Sequence, residues 1–259
     1  MIEIRGMIEA TLDGPPDALV GRIVLNRPEA HNALDRAGIE AFGQVLADWE
    51  GRDDLRAVLL TGRGRSFCAG ASLGEVAGGG FGGVNPLTTL CDRLDAFPVP
   101  VVAGLNGGVY GGGVELALAC DFRVGVEGMR AFVPPARLGI HYEPAGIARA
   151  VDRLGSQMAR RMFLRAEIFA AEALLAAGFV DEIVPAAEVE GRAAAIAGEI
   201  ASLAPLAVRG MKRTIREIVA GTLDEAGART RVAACFASND HAEGLAAQRE
   251  KRPPRFSGR

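Results

Sequence analysis

The run NGGVYGGGVELALACD, residues 106–121, decides the fold. A short apolar stretch, residues 99–103, precedes it and reads as a buried strand. From Gly111 the pattern GGGVELALACD reads as a helix that begins directly at the glycines. A strand passing into such a helix leaves free N–H groups facing outward, at the positive end of the helix dipole. Glycine lets a ligand carbonyl come into contact with those donors, an arrangement suited to an anion or a developing oxyanion. Close helix–strand packing accounts for one or two glycines there, but poorly for three in a row. Glu115, in the first turn, fits either a capping carboxylate or a general acid–base.

Working outward, residues 57–61 (AVLLT) form a second buried strand, followed by a glycine-rich stretch that contains SFCAGASL, residues 66–73. Fifteen of the 34 glycines fall within 62–83 and 104–113, without a Gly-X-Y period, so a collagen-like chain is excluded. Two loops therefore each end a buried strand and each present backbone N–H groups, and one is followed by a carboxylate. That constellation is an oxyanion hole with a nearby acid–base group. Its chemistry is enolate formation: a carbonyl is polarised while a proton moves at the α or γ carbon, or water adds at the β carbon. Gly70–Gly74 also spells G-x-S-x-G, and Asp224 or Asp240 with His241 follows in hydrolase order. The nucleophile elbow needs a hydrophobic strand before the serine and a helix after it. GRGRSFCAGA and EVAGGGFGG supply neither. No P-loop occurs, and neither glycine cluster has G-x-G-x-x-G between strand and helix.

The rest of the chain alternates strand and helix, then turns helical. Residues 7–12 and 20–26 form a hairpin across DGPPD. Asp35 caps a helix whose apolar face is Ile39, Phe42, Val45, Leu46 and Trp49. Asn85-Pro86 opens another, with Leu87, Leu90, Cys91 and Leu94 inward. Strands at 122–126 and 180–184 flank helical pieces on either side of Ser156 and an AEALLAAG helix stopped at Gly178. Residues 188–250 are helical in three or four pieces. The pattern predicts an α/β core over residues 1–195 and a helical region over 196–259.

Composition mainly excludes. The 259 residues carry a net charge of −3, which gives no footprint for nucleic acid or an anionic membrane. No apolar run approaches membrane-spanning length, and the N-terminus lacks a signal-peptide pattern, so the expected location is cytoplasmic. Cys68, Cys91, Cys120 and Cys235 are widely spaced, as expected of reduced, buried thiols. His31, His141 and His241 lack ligand spacing, so no metal is expected.

Several ordered segments resemble the enoyl-CoA hydratase/isomerase, or crotonase, superfamily. They are LNRPEAHNAL (25–34), AVLLTGRGRSFCAGASL (57–73), NGGVYGGGVELALACDFRV (106–124), PPARLGI (134–140), AAEALLAAGFVDEIVP (170–185) and EGLAAQREKRPPRF (243–256). The resemblance implies an α/β, crotonase-like spiral of β-β-α turns with a helical C-terminal trimerisation region, assembled as a homotrimer or a hexamer built as a dimer of trimers. It implies an acyl-CoA thioester as substrate, with no separate cofactor. The backbone N–H groups of Ala71 and Gly112 would hold the thioester oxygen, and Glu115 matches one of the two glutamates a hydratase uses. The other normally follows the proline of P-E-x-x-L-G. Here the stretch is Pro135-Ala136-Arg137-Leu138-Gly139, a residue shorter, with Ala136 roughly at the acid's place. Glu143, four residues past Gly139, resembles the single base of some Δ3,Δ2-enoyl-CoA isomerases.

The resemblance further implies coenzyme A and substrate contacts from Glu29, Ala30, Ala69, Gly70, Ala71, Leu73 and Gly111. Lys251 and Phe256 are candidates for the phosphate and adenine, in the same or a neighbouring subunit. His141 and Tyr142 are candidate pocket-lining residues. The run GGGFGG, residues 78–83, predicts a mobile segment beside the acyl pocket. The first expectation is hydration of a 2-enoyl-CoA, with Glu115 and Glu143 sharing the proton work. The alternatives are Δ3,Δ2 isomerisation on one glutamate, or a catalytically silent acyl-CoA-binding homologue.

Overall fold

The computed structural model describes residues 3–72 and 85–259; Leu73 and the glycine run 78–83 lie outside the described residues. Seven strands form the larger sheet, in the order β1 (Glu3–Arg5), β2 (Ile8–Asp13), β3 (Leu19–Leu25), β4 (Leu55–Gly62), β6 (Val101–Leu105), β8 (Phe122–Val126) and β11 (Glu182–Val184). The expected hairpin is β2–β3, antiparallel, with Ile8 opposite Leu25. From β3 onward the pairing is parallel. β4 and β6 are almost wholly buried, as parallel strands covered on both faces must be.

A second sheet runs β10 (Phe169–Ala170), β9 (Arg130–Phe132), β7 (Gly108–Tyr110) and β5 (Ser66–Cys68). The hydrophobic pattern did not predict it, because two- and three-residue strands are too short to show a period. Its strands explain the architecture. After residues 63–65, 106–107 and 127–129, the chain leaves β4, β6 and β8 and enters β5, β7 and β9. Each pair then leads toward a helix: α2 (Pro86–Asp95), α3 (Gly112–Leu118) and α4 (Pro144–Leu164). These are the successive β-β-α turns of the expected spiral.

Helices close the core from both sides. α1 (Arg36–Glu50) begins at Asp35, whose carboxylate accepts from the Gly38 N–H, and it buries Ile39, Phe42, Val45, Leu46 and Trp49 as predicted. α6 (Val189–Ala201) lies on β3, β4, β6 and β8. Its buried face is Val189, Ala193 and Ala197, small enough that Ala193 packs directly over Gly104. α6 is continuous through residue 195, where the helical region was expected to begin. α3 is shorter than the predicted 111–121, because Asp121 is recruited elsewhere: its carboxylate accepts from the Val101 N–H and from the buried Lys212 ammonium. Gly155, at φ +78°, breaks α4 into the two pieces expected around Ser156. The chain continues through α5 (Ala171–Ala176), α7 (Pro205–Val219), α8 (Glu225–Ala237) and α9 (Asn239–Glu250). Met211, Ile215, Ile218 and Val219 of α7 and Val232 and Phe236 of α8 are exposed. Cys68, Cys91 and Cys120 are buried as expected, whereas Cys235 on α8 is only half-buried.

Candidate active site

The loop after β5 and the start of α3 meet backbone to backbone. Gly70 has φ +84°, and a Cβ placed on it would lie 2.4 Å from the Gly112 nitrogen, so no larger residue fits. A Cβ on Gly112 would in turn lie 3.5 Å from the Ala71 nitrogen. The N–H groups of Ala71 and Gly112 are therefore neighbours, and neither has a backbone acceptor among the described residues. Two adjacent unpaired donors form a cradle for one oxygen that carries negative charge.

Two side-chain amides fix the cradle. Asn32 is fully buried at φ +55°, and its carboxamide donates to the carbonyls of Arg63, Ser66 and Phe67 while accepting from the Arg27 N–H. Asn106 bonds the carbonyls of Gly64 and Ser66 and the Gly62 N–H. Leu34 pairs with the far side of the loop: its N–H donates to the Gly70 carbonyl at 2.8 Å, and its carbonyl accepts from Ser72 at 2.9 Å. The Cys68 thiol donates to the Asn32 carbonyl, and burial pushes it up to about 12, so it serves as an inert part of the frame.

Glu115 stands three residues beyond Gly112, on the same side of α3. It is 3% exposed, and both of its oxygens are engaged. Oε1 accepts from Arg149 of α4 at 3.1 Å. Oε2 accepts from the Tyr142 hydroxyl at 3.0 Å and from Thr88 of α2 at 3.4 Å. Burial raises its carboxyl above the ordinary range, opposed first by the Arg149 charge and then by the Tyr142 and Thr88 hydrogen bonds. The Tyr142 phenol is driven well above its usual value by burial and by the negative Glu115 beside it.

Glu143 is half-buried at the start of α4, and its Oε1 accepts from the Asn85 N–H at 3.4 Å. Asn85 caps α2 through the Leu87 N–H. Both carboxylates thus face the opening turn of α2, Glu143 at Asn85 and Glu115 at Thr88, while Leu87 packs against Gly112. Ala136 lies exposed in a 3-10 turn, Pro135–Leu138, with no carboxylate of its own. Read from Pro134, the P-x-x-x-L-G spacing is complete, which corrects the shorter count and puts Pro135 at the acid's position.

Of the other sequence candidates, Glu29 and Ala30 form a 3-10 turn beside His31, whose carbonyl accepts from the Ala69 N–H at 3.0 Å. They therefore adjoin the Ala69–Gly70–Ala71 loop. Gly111 is tied to β9 through the Phe132 carbonyl. His141 is exposed, and only Tyr142 of that pair turns inward to Glu115. Leu73 lies outside the described residues. Neither Lys251 nor Phe256 contacts the cradle among the described residues. Lys251 is exposed at the end of α9, and Phe256 packs over Gly244 with its carbonyl on Arg56. Arg56 is the second residue of β4, whose other end leads into the site, about 20 Å away at strand rise. The residues that sequence reasoning missed are Arg149, Thr88 and Asp92. They lie on helices remote in sequence from Glu115, and no spacing signal links them to it.

A family model described as enoyl-CoA hydratase/isomerase matches residues 17–259. A probable enoyl-CoA hydratase of Mycobacterium tuberculosis is 37% identical over 240 residues, covering 91% of this chain and 95% of that protein. The 2,3-dehydroadipyl-CoA hydratase of Escherichia coli is 33% identical over 244 residues, covering 92% and 94%. The crystal structure of an enoyl-CoA hydratase from Bacillus anthracis superposes with a TM-score of 0.85 at 31% identity, over 96% of this chain and 99% of that one.

Proposed function

The chain belongs to the enoyl-CoA hydratase/isomerase family, and from that premise we propose that it adds water reversibly to a 2-enoyl-CoA. The observation that carries this reading is the adjacent Ala71 and Gly112 N–H pair, which has no backbone acceptor among the described residues, with the buried Glu115 one turn further along α3. The thioester oxygen accepts from both N–H groups. Water loses a proton to Glu115 as its oxygen bonds to C3. The C2–C3 π electrons shift onto the thioester as an enolate, which the two donors stabilise more strongly than the ground-state carbonyl. Glu143 then supplies the proton that C2 receives, and the two carboxylates reset by proton exchange. Glu29, Ala30 and the Ala69–Gly70–Ala71 loop line the coenzyme A side.

A second reading is Δ3,Δ2 isomerisation with Glu143 as the only moving base. Two observations favour it: Glu115 already accepts from three donors, and the Pro135-Ala136 turn carries no acid. One assay separates the two. Crotonyl-CoA and 3-hexenoyl-CoA are each incubated with the protein while the conjugated enoyl-thioester absorbance is followed. Loss of absorbance from the first is the expected result and supports hydration. Its appearance from the second, without loss from the first, supports isomerisation. Binding of both without turnover would leave a silent acyl-CoA carrier and overturn both readings for these substrates.

The exposed apolar face of α7 and α8 supports assembly of the chain as a trimer or a dimer of trimers. Light scattering after size exclusion tests this, and a monomer would oppose it.

A further inference from the structure

α4 meets Glu115 with one face. A Cβ on Gly146 would fall 2.4 Å from the Tyr142 ring and 2.8 Å from Glu115 Oε2, so the bare backbone of the first turn lies flush against the carboxylate. Arg149 follows three residues later on the same face. Its side chain is only 9% exposed, and its guanidinium forks. One amino group holds Glu115 Oε1, and the other holds Asp92 of α2, which is 54% exposed.

Among the described residues, the groups facing Glu115 are few. Arg149 comes from α4, Tyr142 from the turn before it, and Thr88 from α2. The neutral Cys91 thiol, also on α2, lies near enough to feel the Glu115 charge. Arg149 is the only cation among them. A carboxylate this deeply buried takes up a proton unless a paired charge prevents it. The fork also fixes direction, because a guanidinium braced at Asp92 can meet Oε1 from one side only. With one lone pair of Oε1 on Arg149 and Oε2 shared by two hydroxyls, a single acceptor site of the carboxylate stays free of donors among the described residues.

We propose that Arg149, braced by Asp92, is a positioning residue that keeps Glu115 ionised and aims its one free acceptor site at the cradle, so that Glu115 is the base of the pair and Glu143 the acid. The assignment of base and acid rests on the hydration reading; the control of Glu115 by Arg149 does not.

The test uses the full chain labelled with carbon-13 at the glutamate carboxyl, with the Glu115 resonance identified by its loss in Glu115→Gln. In Arg149→Met the Glu115 titration should move to higher pH by about one unit or more, a tenfold change in its ionisation constant. Arg149→Gln keeps a donor without the charge, should shift it in the same direction, and serves if the methionine variant does not fold. Arg149→Lys should return most of the shift but not the turnover, since it keeps the charge and loses the fork. With crotonyl-CoA, the neutral variants should lower kcat with little change in KM and carry the acidic limb of the pH profile upward. A Glu115 titration unmoved in folded Arg149→Met and Arg149→Gln would overturn the proposal, as would a lysine variant that shifts as far as methionine does. If the titration shifts while the wild-type protein fails to hydrate crotonyl-CoA, the hydration reading falls and the control by Arg149 stands.

Discussion

The two halves of the site are built from different materials. The cradle is backbone: the N–H groups of Ala71 and Gly112 are brought together because Gly70 and Gly112 carry no side chains. The wall opposite is made of side chains, with Glu115 held by Arg149, Tyr142 and Thr88 from two helices and a turn. Backbone donors cannot titrate, and here they cannot move without breaking the Asn32 and Asn106 anchors. The wall is tunable, since the Glu115 charge depends on which neighbours face it. On the hydration reading proposed above, the cradle would hold the enolate oxygen, while the wall would direct the protons.

The sharpest way to break the cradle is Gly112→Pro, which deletes a donor and drives atoms toward Leu87. Turnover should fall about a thousandfold, the upper range for losing one oxyanion donor. Near-normal rates in a protein with an unchanged circular-dichroism spectrum would remove the cradle from the mechanism. On the wall, Glu115→Gln should cost about a hundredfold in kcat, in line with loss of a general base. A rate unaffected by that change would leave Glu143 alone in the chemistry and favour isomerisation.

A smaller effect probes the frame instead of the chemistry. Asn32→Ala removes the side-chain donor of the Arg63 and Phe67 carbonyls and leaves Ser66 to Asn106 alone, and should lower unfolding free energy by about 2 to 3 kcal/mol in denaturant titration. A variant as stable as wild type would mean that Asn106 and the Leu34 pairing suffice to hold the loop.

The smallest effect is read in stability against pH. Burial raises the Glu115 carboxyl, so the unfolded chain gives up this proton at lower pH than the folded one. Its contribution is fully present below the ordinary glutamate value and is lost as pH rises through the higher, folded-state value. The melting temperature of the wild type should therefore fall relative to Glu115→Gln across that window. A rise instead would show that the Arg149 charge outweighs burial.

These contrasts track what could be read along the chain. The hairpin, α1, α2 and the buried strands β4 and β6 follow from apolar pattern and capping residues, and each formed nearly where the pattern placed it. The second sheet did not, because its strands are too short to show a period and gain their partners only when the spiral closes. The tail was expected to reach the nucleotide in the same or a neighbouring subunit. Lys251 and Phe256 stand in a basic C-terminal stretch suggestive of nucleotide contacts. In the folded chain, Asp240 receives the N–H groups of Ser257 and Gly258, and the tail packs at the opposite end of β4 from the cradle.

By itself, the sequence determined the donors. A buried strand followed by glycines and a helix leaves free N–H groups wherever it folds, since backbone chemistry is local, and Glu115 three residues on shares their side of the helix. What the sequence could not determine is the state of that carboxylate. Arg149 stands 34 residues from Glu115 and Tyr142 27 residues away, and Asp92 reaches the group only through the arginine. Ionisation in a buried site is set by summed desolvation and charge from whatever surrounds it, and only the tertiary structure assembles those surroundings.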